Sequence, residues 1–261
     1  MTANCILERV TETKSTNDDL LARWRAGELI DPVARIAHKQ TAGKGRAGRS
    51  WLANPKDSLC FSLAFPFKRT PAELSGLSLL VGLSVIDGIA QACDLNESEL
   101  QAAGLHLKWP NDLLIKNSKL GGILIEGGQA KAGDPTWMII GVGINLRNAE
   151  AIAANLDNGL QVSALSALTQ SPPDAEYLWL KLIASLEFHL AEFDLHGFKP
   201  CKERWMKWDT YQDQSVCISG AGKDPVYGIA KGVDESGALL LLQDNKIITI
   251  HAGDISLRIQ S

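Results

Sequence analysis

A loop at residues 41–50 has the composition of an anion-binding site. Three glycines alternate there with three cations, Lys44, Arg46 and Arg49, directly after a predicted strand. Glycine lets backbone amides approach a ligand closely, and lysine and arginine match a carboxylate or a phosphate. The spacing therefore predicts a loop that holds a negatively charged substrate, and a solvated basic turn is the alternative.

Two further segments carry polar side chains next to predicted strands. In the first, Pro110 ends a strand, so Asn111 and Asp112 follow at its end. An amide and a carboxylate there suit a ribose, a Mg²⁺ ion or a polyphosphate. In the second, Lys119 shortly precedes two glycines, which places a cation where a ligand can come close to the backbone. Each segment, taken alone, is also compatible with an ordinary turn.

Composition restricts the classes of function. The 261 residues carry 26 lysines and arginines against 30 acidic residues, a formal net charge of −4. Such a charge is not typical of a protein that coats nucleic acid or anionic lipid. The five cysteines form no CxxC pair, which fits a reducing cytosol better than a disulfide framework or a zinc ribbon. No secretory signal is visible, and polar residues interrupt the apolar stretch 77–90, which predicts a buried helix.

The elements that must position these residues alternate between strands and helices. Ser15 and Gly27 delimit one predicted helix, and the capping-box spacing at Thr70 begins a long one that runs to Cys93. Strands are predicted from the period-two alternation of apolar residues. The predicted helices cover residues 15–27, 70–93, 174–193 and 202–208, and the predicted strands cover 33–40, 59–65, 105–109, 113–115, 120–126 and 137–146.

After Tyr211 the pattern changes to short strands separated by glycine turns. Strands mixed with helices, followed by strands alone, predict an α+β protein with a small all-β domain at its end. The predicted domains are residues 1–210 and residues 211–261.

Six segments, taken in their order along the chain, resemble the biotin protein ligase family. The resemblance spans nearly the whole sequence. The segments are Ser-Thr-Asn at 15–17, Gln40 with Gly-Lys-Gly-Arg-Ala-Gly-Arg at 43–49, Lys-Trp-Pro-Asn-Asp at 108–112, Lys-Leu-Gly-Gly-Ile-Leu-Ile-Glu at 119–126, Gly-Val-Gly-Ile-Asn at 141–145, and the closing stretch 228–239.

The resemblance implies a fold and a reaction. The fold is a catalytic domain like that of class II aminoacyl-tRNA synthetases, with a mixed, largely antiparallel sheet, followed by an SH3-like barrel. The reaction is ATP-dependent activation of biotin to biotinyl-5′-AMP, in the presence of Mg²⁺. The biotinyl group then passes to one lysine of a biotin carboxyl carrier protein, a subunit of acetyl-CoA carboxylase.

The resemblance also implies a role for individual residues. Lys119 and Arg46 are the implied catalytic residues, and Asp112 is the implied contact to Mg²⁺ through ATP. The implied biotin-binding residues are Ser15, Thr16, Asn17, Gln40, Lys44, Gly45, Arg46, Lys119 and Gly121. The implied ATP-binding residues are Arg46, Arg49, Trp51, Lys108, Asn111, Asp112 and Asn145.

The sequence departs from the family pattern at two places. Lys44 stands where the family usually has arginine, and residues 147–166 contain no aromatic residue, although some relatives use one to cover adenine. The segment 15–17 also comes too early to leave room for the DNA-binding domain of some relatives. We therefore expect a cytoplasmic enzyme without nucleic-acid or membrane partners, and a homodimer stays open.

Three alternatives are compatible with parts of the pattern. A lipoate protein ligase would share the fold and the adenylation chemistry, but its glycine-rich segment differs from residues 43–49. A non-catalytic regulator that binds an adenylate or the carrier would be favoured if Lys119 or Arg46 were missing, and both are present. A nucleic-acid-binding barrel is disfavoured by the net charge and by Asp234 and Glu235.

Overall fold

A seven-stranded sheet forms the larger part of the protein. The structure is a computed structural model that describes residues 5–154, 161–220, 223–253 and 255–259. The strands of this sheet are β1 (Ile6–Thr13), β2 (Val33–Gln40), β3 (Ser58–Phe67), β4 (Leu105–Lys108), β5 (Asp112–Ile115), β6 (Ser118–Gly128) and β7 (Thr136–Asn145).

The strand order is β1-β2-β3-β7-β6-β5-β4. β1 and β2 are parallel, and every other neighbouring pair is antiparallel. This confirms the predicted mixed, largely antiparallel sheet. In the part of the chain that the structure describes, no helix has the length and apolar character needed to cross a membrane.

Helices cover both faces of this sheet. They are α1 (Thr16–Arg25), α2 (Leu77–Cys93), α3 (Glu97–Ala102), α4 (Ala149–Ala153), α5 (Ala175–His196) and α6 (Lys202–Met206). α2 and α5 pack together on one face, where Phe67 of β3 meets Phe193 of α5 with ring centroids 6.2 Å apart. α1 packs on the other face, where Leu20 contacts a small apolar cluster that includes Ala64 of β3. Alternation along β3 therefore divides its side chains between a large core and the α1 face.

The prediction of one continuous helix from Thr70 to Cys93 is wrong. The capping box at Thr70 begins only a short 3₁₀ turn, Pro71–Leu74, and α2 begins at Leu77. The break lies at Gly76, whose φ is +82°. A Cβ atom there would lie 2.6 Å from the Cβ of Phe198, so contact with a distant part of the chain requires glycine at this position.

A five-stranded antiparallel sheet follows. Its strands are β8 (Ser215–Gly220), β9 (Lys223–Val233), β10 (Leu239–Gln243), β11 (Lys246–Ile250) and β12 (Ile255–Ile259), in the order β11-β10-β9-β8-β12. Val216 and Leu241 belong to the same buried cluster as Trp205 and Trp208 of the preceding region. The two sheets are therefore joined by a continuous hydrophobic core.

Candidate active site

A cavity of about 480 Å³ opens between the start of α1, the loop after β2 and strands β3, β6 and β7. Its size is in the usual range for a site that takes a small molecule. Ser15 is the N-cap of α1, and its side chain accepts a hydrogen bond from the amide of Asp18. This cap fixes where the helix begins, so the next two residues, Thr16 and Asn17, lie buried at the cavity wall.

Hydroxyl and amide groups form one end of the cavity. The backbone amide of Thr16 donates to Oε1 of Gln40 at 2.8 Å, and the Thr16 hydroxyl lies 2.7 Å from that of Ser62. The Ser62 hydroxyl donates to Oδ1 of Asn17 at 2.7 Å, and Nδ2 of Asn17 donates to Glu126 at 2.8 Å. This network holds the polar groups in fixed orientations, as recognition of a polar, uncharged ligand group requires.

The glycine-rich loop closes on itself beside this end. Lys44 and Ser50 form an isolated antiparallel bridge, and the amide of Gly45 donates to the carbonyl of Arg49 at 2.7 Å. A 3₁₀ turn at the tip contains Ala47 at φ +55° and the following glycine at φ +70°. The loop is thus a short hairpin that presents its cations to the cavity.

The loop cations contact three different parts of the protein. Nζ of Lys44 lies 2.7 Å from Oδ1 of Asp18 on α1. Nη1 of Arg46 donates to Oδ1 of Asn111 at 3.0 Å, and Nη2 donates to the carbonyl of Gly253, between β11 and β12. Arg46 therefore joins the cavity to the C-terminal sheet.

The hairpin of β5 and β6 supplies the fourth cation that lines the cavity. Nζ of Lys119 lies 2.6 Å from Oδ1 of Asp112, and the two side chains are 25% and 19% exposed. A Cβ atom on Gly122 would lie 3.3 Å from Cε and Nζ of Lys119, so the glycine leaves the space that this side chain uses. Lys119 also lies 5.7 Å from the ring centroid of Trp51.

The side chain of Asn145, at the end of β7, has one hydrogen-bond acceptor that no donor among the described residues satisfies. Its Nδ2 donates to the carbonyls of Lys119 at 3.2 Å and Ser163 at 3.1 Å. Its Oδ1 is buried and has no hydrogen-bond partner among the described residues. Because an unpaired buried acceptor is costly, a ligand amino or hydroxyl group is the expected partner.

The pKa shifts of Cys60 and Lys108 further restrict the chemistry of the site. Burial raises the pKa of the Cys60 thiol, in the cavity wall, to about 12, so it is not a thiolate nucleophile near neutral pH. Burial also lowers the pKa of Lys108; Asp112 opposes this shift, whereas Lys119, Arg258 and Arg49 reinforce it. The site is suited to binding and stabilising anions without a side-chain nucleophile.

Among the described residues, few side chains are placed to coordinate a metal ion. Among the described residues, no group of three or more histidine, cysteine, aspartate or glutamate side chains is arranged to hold a metal ion. Asp112 borders the cavity, and within the described part of the chain its carboxylate accepts a side-chain hydrogen bond through Oδ1 alone. One carboxylate fits a Mg²⁺ ion that arrives with the phosphates of a nucleotide, since Mg²⁺ is commonly held by one or two carboxylates plus phosphates.

Comparison with known proteins gives the family. The model of the biotin/lipoate A/B protein ligase family matches residues 9–145, and that of the biotin protein ligase C-terminal domain matches residues 214–258. The chain belongs to the biotin/lipoate A/B protein ligase family.

Two relatives of this chain are the bifunctional ligase/repressor BirA of Salmonella typhimurium and the biotin–[acetyl-CoA-carboxylase] ligase of Mycobacterium tuberculosis. The first is 35% identical over 94% of this chain and 72% of that protein. The second is 31% identical over 95% of this chain and 88% of that protein. Among solved structures, the biotin protein ligase of Aquifex aeolicus in complex with biotin and ATP aligns with a TM-score of 0.77 and 26% identity, covering 98% of this chain and 99% of that one.

The structure brings most of the predicted ligase site residues to one cavity. Lys108 and Gly121 do not border it: Lys108 faces the ring of Tyr211, with Nζ 5.7 Å from the centroid, and Gly121 is buried in β6. The predicted residues that do border it are Ser15, Thr16, Asn17, Gln40, Lys44, Gly45, Arg46, Arg49, Trp51, Asn111, Asp112, Lys119 and Asn145.

Sequence reasoning missed two groups of residues in this site. Ser62 and Glu126 hold Asn17, and neither was predicted as a site residue. The alternation along β3 carried a signal, because Ser62 occupies the side of the strand opposite the large apolar residues. Gly141 and Gly143 border the cavity on β7, where a Cβ atom would collide with Asn17 and Trp51, respectively.

Proposed function

We propose that this chain activates biotin with ATP and transfers the biotinyl group to a lysine of a biotin carboxyl carrier protein. The observation that carries the proposal is one cavity with a hydroxyl and amide end and a cationic end. Thr16, Asn17 and Gln40 at the first end suit the ureido head of biotin, and Lys119 and Arg46 at the second suit its carboxylate and the phosphates of ATP. The names of the relatives support the same reaction.

In the first step, an oxygen of the biotin carboxylate attacks the α-phosphorus of ATP. The bond from this phosphorus to the oxygen that bridges to the β-phosphate breaks, and pyrophosphate leaves. Negative groups approach each other in this step, so preorganised cations lower its barrier. Lys119 faces the carboxylate, Arg46 and Arg49 face the phosphates, and a Mg²⁺ ion bound to those phosphates would be held by Asp112.

In the second step, the uncharged amine of the carrier lysine attacks the acyl carbon of biotinyl-5′-AMP. The bond to the AMP oxygen breaks, an amide forms, and the amine gives up its proton. The adenylate hydrolyses readily, so the loop at residues 41–50 must exclude water until the carrier arrives. Asn145 and Trp51 border the cavity, where they suit the nucleotide half of this intermediate.

We also propose a domain organisation and a cellular location for the chain. Residues 1–210 form the catalytic domain, and residues 211–261 form a C-terminal domain of the SH3-like barrel type. The five cysteines are all free, which fits a cytoplasmic location.

Exchange of labelled pyrophosphate into ATP tests the substrate and the first step together. We expect exchange with biotin and none with lipoate, and the biotinyl group should then appear on the target lysine of a carrier domain. A carrier domain with arginine at that lysine is the matched control. If lipoate instead of biotin supported pyrophosphate exchange, the protein would be a lipoate ligase. If biotin supported exchange but no biotinyl group reached the carrier, the protein would be an adenylating protein with another function.

A further inference from the structure

The polar network at the hydroxyl and amide end of the cavity ends on a carboxylate. Nδ2 of Asn17, in the cavity wall, donates to Oε2 of Glu126 at 2.8 Å. Glu126 belongs to β6, is only partly exposed and does not itself border the cavity. Within the described part of the chain, no lysine, arginine or histidine forms an ion pair with it. Its negative charge therefore acts on the network without a counter-ion from these residues.

The network crosses β7 at a glycine. Ser62 on β3 pairs with Gly141, which in turn pairs with Leu124 of β6, two residues before Glu126. A Cβ atom on Gly141 would lie 2.5 Å from Oδ1 of Asn17. The side chain of Asn17 therefore lies against the backbone of β7, and it reaches a polar partner on the strand at either side.

The charge of Glu126 sets the direction of the protons along this network. A carboxylate only accepts hydrogen bonds, so Asn17 turns Nδ2 toward Glu126 and Oδ1 toward Ser62. The Ser62 hydroxyl must then donate to Oδ1, at 2.7 Å. The Ser62 oxygen lies 2.7 Å from that of Thr16, and with its own proton used it can only accept from Thr16. Both hydroxyl protons are therefore used inside the network.

Gln40 supplies no proton to the Thr16 hydroxyl. The backbone amide of Thr16 donates to Oε1 of Gln40 at 2.8 Å, which identifies this atom as the oxygen of the side-chain amide. The Thr16 hydroxyl lies 3.1 Å from the same oxygen, which is an acceptor. The hydroxyl oxygens of Thr16 and Ser62 thus keep lone pairs and no free proton, so a ligand that meets them has to donate.

We propose that Glu126 is a positioning residue that makes this end of the cavity specific for a head group with N–H donors. The inference rests on the proposed function, in which the head group is the ureido ring of biotin, with two N–H groups and one carbonyl. Glu126 does not touch the substrate and acts through Asn17 and Ser62. A site built to accept from an N–H group rejects an analogue that lacks it, because its acceptors are then left unpaired.

Equilibrium binding of two ligands to the full chain, without ATP, tests the inference. One ligand is biotin, and the other is its cyclic carbamate analogue, in which a ring oxygen replaces one ureido N–H. We expect the natural chain to prefer biotin by roughly a hundredfold or more. Glu126→Gln keeps the shape and removes the charge, so Asn17 and the hydroxyls are free to reverse, and the preference should fall about tenfold. Glu126→Lys can only donate and should reduce the preference further.

Glu187→Gln is the matched control. Glu187 is a partly buried carboxylate on α5 that accepts from the backbone amide of Cys5 at 2.7 Å, outside the cavity. The same loss of charge there should leave the preference for biotin unchanged. A fall in preference as large as that of Glu126→Gln would show a general effect of charge and would overturn the inference.

Ser62→Ala separates positioning from a purely structural role. Without the Ser62 hydroxyl, the charge of Glu126 no longer reaches Thr16 through Asn17. Glu126→Gln should therefore change the preference far less in the Ser62→Ala background than in the natural chain. Equal weakening of both ligands by Glu126→Gln would mean that Glu126 only maintains the fold, and the inference would be wrong. An unchanged preference in both Glu126 variants would also overturn it and leave the proposed function intact, whereas a natural chain that does not bind biotin would overturn both.

Discussion

The ion pair of Lys119 and Asp112 lies in the wall of the cavity. Its atoms are 2.6 Å apart and both side chains are mostly shielded from water, so neither charge is fully solvated. The carboxylate of biotin would compete with Asp112 for the same ammonium group. A Mg²⁺ ion that arrives with ATP would in turn compete with Lys119 for Asp112. Both substrates together would therefore separate Lys119 from Asp112.

Lys119→Ala removes the cation that faces the biotin carboxylate in our proposal. We expect adenylation to fall by roughly a hundredfold or more, the loss typical for a single transition-state donor. Biotin-dependent exchange of pyrophosphate into ATP measures it, with Lys131→Ala as the control, because Lys131 is an exposed lysine in the loop between β6 and β7. Near-normal exchange by a folded Lys119→Ala variant would remove Lys119 from the proposed mechanism.

Lys44 and Arg46 hold the loop in different ways. The pair of Lys44 with Asp18 is 51% and 39% exposed, and ion pairs of this kind contribute little to stability. Arg46 binds Asn111 and the carbonyl of Gly253 through separate nitrogens of one planar group. Arg46 therefore anchors the loop, and Lys44 adds a weaker, exposed contact to α1.

At the scale of elements, the sequence patterns predicted the strands and helices whose formation depends on residues close together in the chain. The strand prediction 33–40 agrees with β2, and the predicted long amphipathic helix is α5, because an alternating or 3.6-residue pattern contains its own burial information. The break at Gly76 depends on Phe198, more than a hundred residues away, and no local pattern contains that contact. The same reason explains why Ser62 and Glu126 were missed: their importance comes from Asn17 on another element.

β7 places two glycines on the cavity, each next to a different part of the site. A Cβ atom on Gly141 would lie 2.5 Å from Oδ1 of Asn17, and one on Gly143 would lie 2.5 Å from the ring of Trp51. Either substitution must displace its neighbour, because such distances are far shorter than van der Waals contact. In our proposal, Gly141 therefore lies at the biotin end of the cavity and Gly143 at the nucleotide end.

Gly141→Ala and Gly143→Ala should therefore give different kinetic defects. We expect Gly141→Ala to raise the KM for biotin about tenfold or more with a smaller effect on ATP, and Gly143→Ala to show the reverse. Each variant is the control for the other, since both add one methyl group to the same strand. Equal defects toward both substrates would contradict the assignment of the two ends.

At the scale of the whole molecule, the C-terminal region contacts the loop of the site through Arg46. Gly253 accepts a hydrogen bond from Arg46, and the carbonyl of Gly237 accepts one from the indole of Trp109 at 3.1 Å. The sequence predicted a change of architecture after Tyr211, because glycine turns and short strands are local features. The sequence did not predict that this region contacts the loop at residues 41–50. That contact depends on how the two sheets pack across their shared core.

Asp209 lies at the junction between the two sheets, and its carboxyl group is poorly accommodated there. The amide of Tyr211 donates to Oδ1 at 3.0 Å, whereas Oδ2 is buried without a partner among the described residues. Burial raises the pKa of Asp209 to about 6, and the hydrogen bond from Tyr211 opposes this shift only in part. In the unfolded chain the carboxyl returns to its ordinary pKa near 4. Folding is therefore penalised progressively as the pH rises from about 4 to about 6, and the penalty is complete above that window.

Asp209→Asn keeps an acceptor for Tyr211 and removes the charge, so it should stabilise the protein when the carboxylate would be ionised. We expect a gain on the order of 2 kcal/mol, or about 5 °C in Tm, near pH 8, and almost no gain near pH 4. Thermal unfolding of the two proteins at both pH values measures it, with the exposed loop residue Asp134 changed to asparagine as the control. The diagnostic feature is the pH dependence: a gain that is equal at both pH values would come from packing, and a loss near pH 8 would mean that the charged carboxylate has a stabilising partner at the junction.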